Sequence, residues 1–82
     1  MNETIRELLG RVGGLPIAIT DISNEADLYA AGLSSFASVQ LMLAIEEAFD
    51  IEFPDSLLNR KSFASIAAIE MTVSQISKSE AA

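Results

Sequence analysis

The sequence predicts an all-α fold, a small four-helix bundle of three longer helices and one short one, with a long loop between helices 1 and 2. Three observations carry this reading. Apolar residues recur at one-face helical spacing in three separate stretches. Breaks built on Gly-Gly and Phe-Pro fall between those stretches. Half of the 82 residues are hydrophobic, enough for one modest core and a single domain.

The first helix spans roughly residues 2–12, where Ile5, Leu8, Leu9 and Val12 share a face. Gly13-Gly14 ends it, and Pro16 discourages continuation. Residues 14–33 form the long connection, pinned across the core by Leu15, Ile17, Ile19, Ile22 and Leu28. A loop of that length in so small a domain is often functional. The second helix runs about 35–49, and Phe53-Pro54 closes the connection after it. A short helical turn near 55–60 contains Leu57 and Leu58. The last helix starts after Ser62, read as its N-cap, and carries Ile66, Ile69, Val73 and Ile76 on one stripe. Residues 78–82 are expected to form a flexible tail on a domain of residues 1–77.

Composition narrows the chemistry. The chain has no Cys and no His, so it offers neither a thiol nor an imidazole of its own. Disulfides, zinc–thiolate sites and a His-based nucleophile are therefore excluded, and neither a catalytic residue nor a metal-ligating set is singled out. No apolar run reaches bilayer-spanning length, and the basic-then-apolar pattern of a signal peptide is missing, so the expected compartment is cytoplasmic. The net charge of −7 disfavours nucleic acid and anionic membranes and favours basic protein partners. That charge is uneven. Between Arg11 and Arg60 there is no Lys or Arg, while Asp21, Glu25, Asp27, Glu46, Glu47, Asp50, Glu52 and Asp55 all fall in the gap.

The second helix is apolar on two faces. At about 100° per residue, Leu41, Met42, Ile45 and Phe49 gather on one side as core. Phe36, Val39 and Leu43 gather on another, flanked by Gln40, Glu46 and Glu47. Two readings stand for this second stripe: a helix more fully surrounded by its neighbours, or a docking patch with an apolar centre and an acidic rim. The serines before it also carry two readings. Ser34 suits the N-cap, which leaves Ser35 at the first helical position with its hydroxyl outward. Either both are caps, or Ser35 is a place where a phosphate ester would meet the positive end of the helix dipole. With no His in the chain and no Lys nearby, Ser35 does not suit a catalytic nucleophile.

The stretch Asp27-Leu28-Tyr29-Ala30-Ala31-Gly32-Leu33-Ser34-Ser35-Phe36-Ala37-Ser38-Val39-Gln40-Leu41 resembles the modification region of acyl carrier proteins. Ala44-Ile45-Glu46-Glu47-Ala48-Phe49-Asp50-Ile51-Glu52-Phe53-Pro54 is similar to the family's acidic second helix and its exit. The opening Ser62-Phe63-Ala64-Ser65-Ile66 fits as well, so the resemblance covers nearly the whole chain.

The resemblance implies a phosphoprotein with 4′-phosphopantetheine joined to Ser35 through a phosphodiester, its source being coenzyme A. The arm ends in the thiol that the sequence lacks, and cargo travels on it as a thioester. By the same resemblance, Phe36, Val39 and Leu43 present apolar contacts to partner enzymes, and Glu46 and Glu47 meet basic partner surfaces. The implied partners are a phosphopantetheinyl transferase, an amino acid or acyl carrier-protein ligase with a basic docking surface, and a downstream transferase. The carrier itself catalyses nothing. Carriers of fatty acid synthesis usually read Asp-Ser-Leu where this chain has Ser34-Ser35-Phe36, which removes a charge and enlarges the first apolar contact. The chain is thus more similar to specialised free-standing carriers, including the bacterial aminoacyl carrier proteins charged by ligases resembling class II aminoacyl-tRNA synthetases. The expected cargo is aminoacyl, with glycine in view. The alternatives are a fatty or other acyl cargo, and, from a different class, an unmodified helical adaptor using the same patch.

Overall fold

A computed structural model describes residues 1–14 and 19–81, with side chains described as far as Ser77. Four α-helices carry the fold: α1 (Asn2–Val12), α2 (Leu28–Ala31), α3 (Ser35–Phe49) and α4 (Ile66–Ala81). Among the described residues there is no strand. The connections hold three 3₁₀ turns, at Ile19–Asp21, Asp55–Leu57 and Arg60–Phe63.

The helical spacings read from the sequence become the core. Ile5 and Leu9 of α1, Leu41 and Ile45 of α3, and Ile66, Ile69 and Val73 of α4 are all buried to zero exposure. Leu28 joins them from α2, and α1 packs on both α3 and α4. Burying a side chain of this kind completely is worth about 1.5–3 kcal/mol relative to leaving it exposed, so these stripes hold the bundle together. On α3, the expected core face divides. Leu41 and Ile45 are buried, whereas Met42 and Phe49 are half-buried and pack against the core edge.

α1 ends as anticipated at the glycine pair. The Gly13 N–H donates to the Leu9 carbonyl, and a Cβ at Gly13 would stand 2.5 Å from that same oxygen. Of the connection's apolar residues, Ile22 and Leu28 are buried and Ile19 half-buried; Leu15, Pro16 and Ile17 lie outside the described residues. The connection is fastened by polar bonds as well. The Arg6 guanidinium donates to the Ile19 carbonyl (2.6 Å) and to Asn24 Oδ1 (2.8 Å), and its Nε donates to Asn2 Oδ1.

Three local features depart from the sequence reading. First, α2 is a short helix inside the supposed loop. Asp27 caps it by accepting from the Tyr29 and Ala30 amides, and Gly32 closes it with φ 124°, a conformation that L side chains rarely adopt. Second, the helical turn expected near residues 55–60 is a 3₁₀ turn over Asp55–Leu57, with a second over Arg60–Phe63. Third, Ser62 is not the N-cap of the last helix. It is buried in the second 3₁₀ turn, where Asn59 Oδ1 accepts from its amide at 3.0 Å. The cap is Ser65, whose hydroxyl oxygen accepts from the Ala68 amide at 3.0 Å just ahead of Ile66.

Two main-chain hydrogen bonds tie the connection to the start of α4. The Leu28 N–H donates to the Ala64 carbonyl at 2.7 Å, and the Ala67 N–H donates to the Asn24 carbonyl at 2.9 Å. They hold α2 beside the Arg60–Phe63 turn.

Candidate functional site

The mouth of α3 separates the work of the two serines. Gly32 turns the chain sharply out of α2, and Leu33 buries its side chain in the core. Ser34 then sits in extended backbone, where its hydroxyl oxygen accepts from the Ala37 amide at 3.0 Å. Ser35 is the first helical residue and is exposed; its hydroxyl takes no part in the cap. Its carbonyl accepts from the Ser38 hydroxyl at 2.7 Å, which keeps that side chain folded against the first turn. An exposed alcohol beside the free amides of a long helix is well placed to bear an anion.

The second apolar stripe is exposed. Phe36, Val39 and Leu43 show 71%, 52% and 55% of their surface, respectively, on the face that begins at Ser35. Large apolar side chains this open, in a row on one helix, contribute little to the bundle core. The geometry favours the docking reading over the surrounded-helix reading.

The acids at the far end of that face have unequal roles. Glu47 is exposed. Glu46 is half-buried, and its Oε2 accepts from the Phe53 amide at 2.8 Å, clasping the exit of α3 back onto the helix. Asp50 takes the left-handed conformation (φ 53°) that ends α3, a conformation Asp tolerates better than most residues. Leu43, Glu46, Glu47, Asp50, Ile51 and Glu52 surround an open hollow of about 420 Å³. Asp50 and Glu52 belong to the acid-only run between Arg11 and Arg60 that the sequence offers to basic partners, beside the Glu46 and Glu47 singled out there.

A second cleft opens at Ser35 itself. It measures about 500 Å³ and runs between α2 and α3 on one side and the 58–63 segment on the other. Val39, Met42, Leu58 and Phe63 give it an apolar lining, with Ser38 and Asn59 polar at the edge. Phe63 is held by a tilted contact with Phe53, ring centroids 5.3 Å apart. At the rim the Arg60 guanidinium lies 4.0 Å over the Tyr29 ring. Size, apolar lining and the hydroxyl at the mouth suit a flexible, mostly uncharged arm anchored at Ser35 by a phosphodiester. Among the described residues, no helix is long and apolar enough to cross a membrane.

Comparison with known proteins agrees with this arrangement. Residues 3–73 match the family described as the phosphopantetheine attachment site. The chain is 75% identical over 76 residues to an aminoacyl carrier protein of Agrobacterium fabrum, covering 93% of this chain and 92% of that one. It is 35% identical over 63 residues to aminoacyl carrier protein 1 of Bradyrhizobium diazoefficiens, covering 76% and 70% of the two chains. Among solved structures, it is similar to a chain in the complex of engineered Bradyrhizobium japonicum glycine:[carrier protein] ligase with carrier protein from Agrobacterium tumefaciens and AMP. That match has a TM-score of 0.89 at 76% identity and covers 90% of this chain and 99% of that one. A more distant match, at TM-score 0.74 and 31% identity, covers 87% and 95% of the chains and comes from the Bradyrhizobium japonicum ligase complexed with glycylated carrier protein. With its helices, its serine and its exposed face already accounted for, this chain belongs to the phosphopantetheine-attachment family and, within it, to the aminoacyl carrier proteins.

Proposed function

We propose that the chain carries an activated aminoacyl group, glycine in the first instance, on 4′-phosphopantetheine attached at Ser35. When bound, the group supplies the terminal thiol on which the aminoacyl unit is held as a thioester. The observation that carries the reading is the exposed, uncommitted Ser35 hydroxyl at the start of α3, opening onto a cleft and continuous with an apolar face.

Each neighbour has a role. Ser34 holds the first turn of α3 so that Ser35 projects outward. Phe36, Val39 and Leu43 form the apolar centre on which partner enzymes dock. Glu47, with Asp50 and Glu52, draws basic partner surfaces, while Glu46 serves mainly to shape that rim through Phe53. The partners are a phosphopantetheinyl transferase, an amino acid:carrier protein ligase with a basic docking surface, and a downstream transferase. Such contacts are transient, because a loaded carrier must leave one enzyme to reach the next.

The chain carries rather than catalyses. It has no His or Cys, and Glu46 and Glu47, adjacent on one helix, diverge and make a poor acid–base pair. A cytoplasmic location fits a substrate made from coenzyme A and ATP-dependent ligation. The aminoacyl reading is favoured over a fatty or other acyl cargo by the relatives, which include a glycylated carrier protein.

The test is the intact mass of the purified protein before and after incubation with coenzyme A and a broad-specificity phosphopantetheinyl transferase. One added phosphopantetheine, lost in Ser35→Ala, is the expected result. No added mass with an active transferase would leave the unmodified adaptor as the better account. Incubating the modified protein with glycine, ATP and a glycine:carrier protein ligase should then add one glycyl unit, removable by hydroxylamine.

A further inference from the structure

Among the described residues, Arg60 is the only charged one lining the cleft that opens at Ser35. It is exposed, and it is not spent on an acid. Among the described residues the one ion pair is Arg11 with Glu7, so the Arg60 guanidinium rests on the Tyr29 ring without a carboxylate partner. A cation over an aromatic face at an exposed rim is held weakly. The adjacent Lys61 is also exposed but does not line the cleft.

Among the described residues lining the cleft there is no other compensating charge. No Lys or Arg occurs between Arg11 and Arg60, so α2 and α3 supply none. A phosphodiester on Ser35 would add a negative charge to a chain already at −7. The α3 amides meet part of that charge, and the planar guanidinium across the cleft is the group best shaped to meet the rest, through paired N–H donors.

We propose that Arg60 is the phosphodiester-binding residue of this carrier, leaving Tyr29 when the arm is installed and thereby laying the arm along the Val39, Met42 and Phe63 wall. This rests on attachment at Ser35, which the mass measurement reads separately. Arg60 here is a positioning residue. It makes and breaks no covalent bond, and its effect is to restrict where the arm lies.

The chain provides its own probe. Tyr29 is the single tyrosine and there is no Trp, so ultraviolet emission of the protein reports the ring that Arg60 covers. Wild type, Arg60→Ala, Arg60→Lys and Lys61→Ala would be prepared unmodified and phosphopantetheinylated, freed of coenzyme A, and their loading checked by mass. Tyr29 emission and the phosphodiester ³¹P resonance would then be recorded. The expected result is a change in Tyr29 emission on modification in wild type and Lys61→Ala. In Arg60→Ala the unmodified protein should already have the altered emission, and modification should change it no further. The ³¹P resonance should move in Arg60→Ala, move less in Arg60→Lys, and stay in place in Lys61→Ala. Equal emission changes and equal ³¹P shifts in wild type and Arg60→Ala, in proteins that have all gained the mass, would overturn the proposal while leaving Ser35 intact as the attachment point. A wild-type protein that gains no mass would overturn both.

Discussion

At Ser34 the hydroxyl is committed to the Ala37 amide 3.0 Å away, and at Ser35 it is not. Replacing each by Ala should therefore separate stability from function. Ser34→Ala should cost about 1 kcal/mol in urea unfolding, the usual loss for an N-cap, and still accept phosphopantetheine. Ser35→Ala should unfold at nearly the wild-type midpoint and accept none. The capping role of Ser34 was legible in the sequence, which left Ser35 as the first helical residue, whereas the modification assigned to Ser35 came from the family resemblance. The role of Glu46 was not legible. Its bond to the Phe53 amide spans seven residues across the end of α3, and no local pattern announces it. Nor could any spacing rule pair Arg60 with Tyr29, which meet only through the fold.

Two elements with a strong apolar period were readable from end to end. α1 and α3 fall where the spacing of Ile5, Leu8 and Leu9, and of Leu41 and Ile45, places them. α2 escaped because Leu28–Ala31 is a single turn, too short for a period to register; its signals were the flanking Asp27 and Gly32. The start of α4 was misplaced for another reason. Ser62 and Ser65 each precede an apolar residue, and the sequence holds no rule for choosing between them. The choice is made by the 3₁₀ turn over Arg60–Phe63, which Asn59 caps and which buries Ser62. The two faces of α3 predict opposite outcomes. Leu41→Ala removes a fully buried side chain and should cost about 2–5 kcal/mol. Phe36→Ala removes one that is 71% exposed and should shift the unfolding midpoint little, within about 0.5 kcal/mol, while slowing ligase loading. A large loss of stability in Phe36→Ala would reassign that residue to the core.

For the whole molecule, the distribution of charge matters more than its total. The acid-lined hollow at the end of α3 lies on the same helix as the exposed apolar stripe, so under the proposed function long-range attraction and short-range docking would share one face. Ligase loading should accordingly slow as salt is raised, since the Debye length falls below about 10 Å beyond 0.1 M. Glu47→Lys should lower the loading rate at low salt and flatten its salt dependence, with the circular dichroism spectrum unchanged. Identical rates for Glu47→Lys and wild type at low salt would remove Glu47 from the docking surface.

The two bonds from Leu28 to Ala64 and from Ala67 to Asn24 join main chain to main chain. Leu28 and Ala64 are the chain neighbours of Tyr29 and Phe63, which face each other across the cleft that opens at Ser35, and bonds of this kind are indifferent to which side chains stand on either bank. The frame of the cleft and its exposed upholstery are therefore separable. Leu58, which stands exposed on the lining, can be exchanged for a larger, smaller or more polar group while the gap between the banks keeps its width, whereas Phe63 is also a buried part of the core. A mould that can be re-faced without being recast is what the retailoring of this carrier to a different passenger requires.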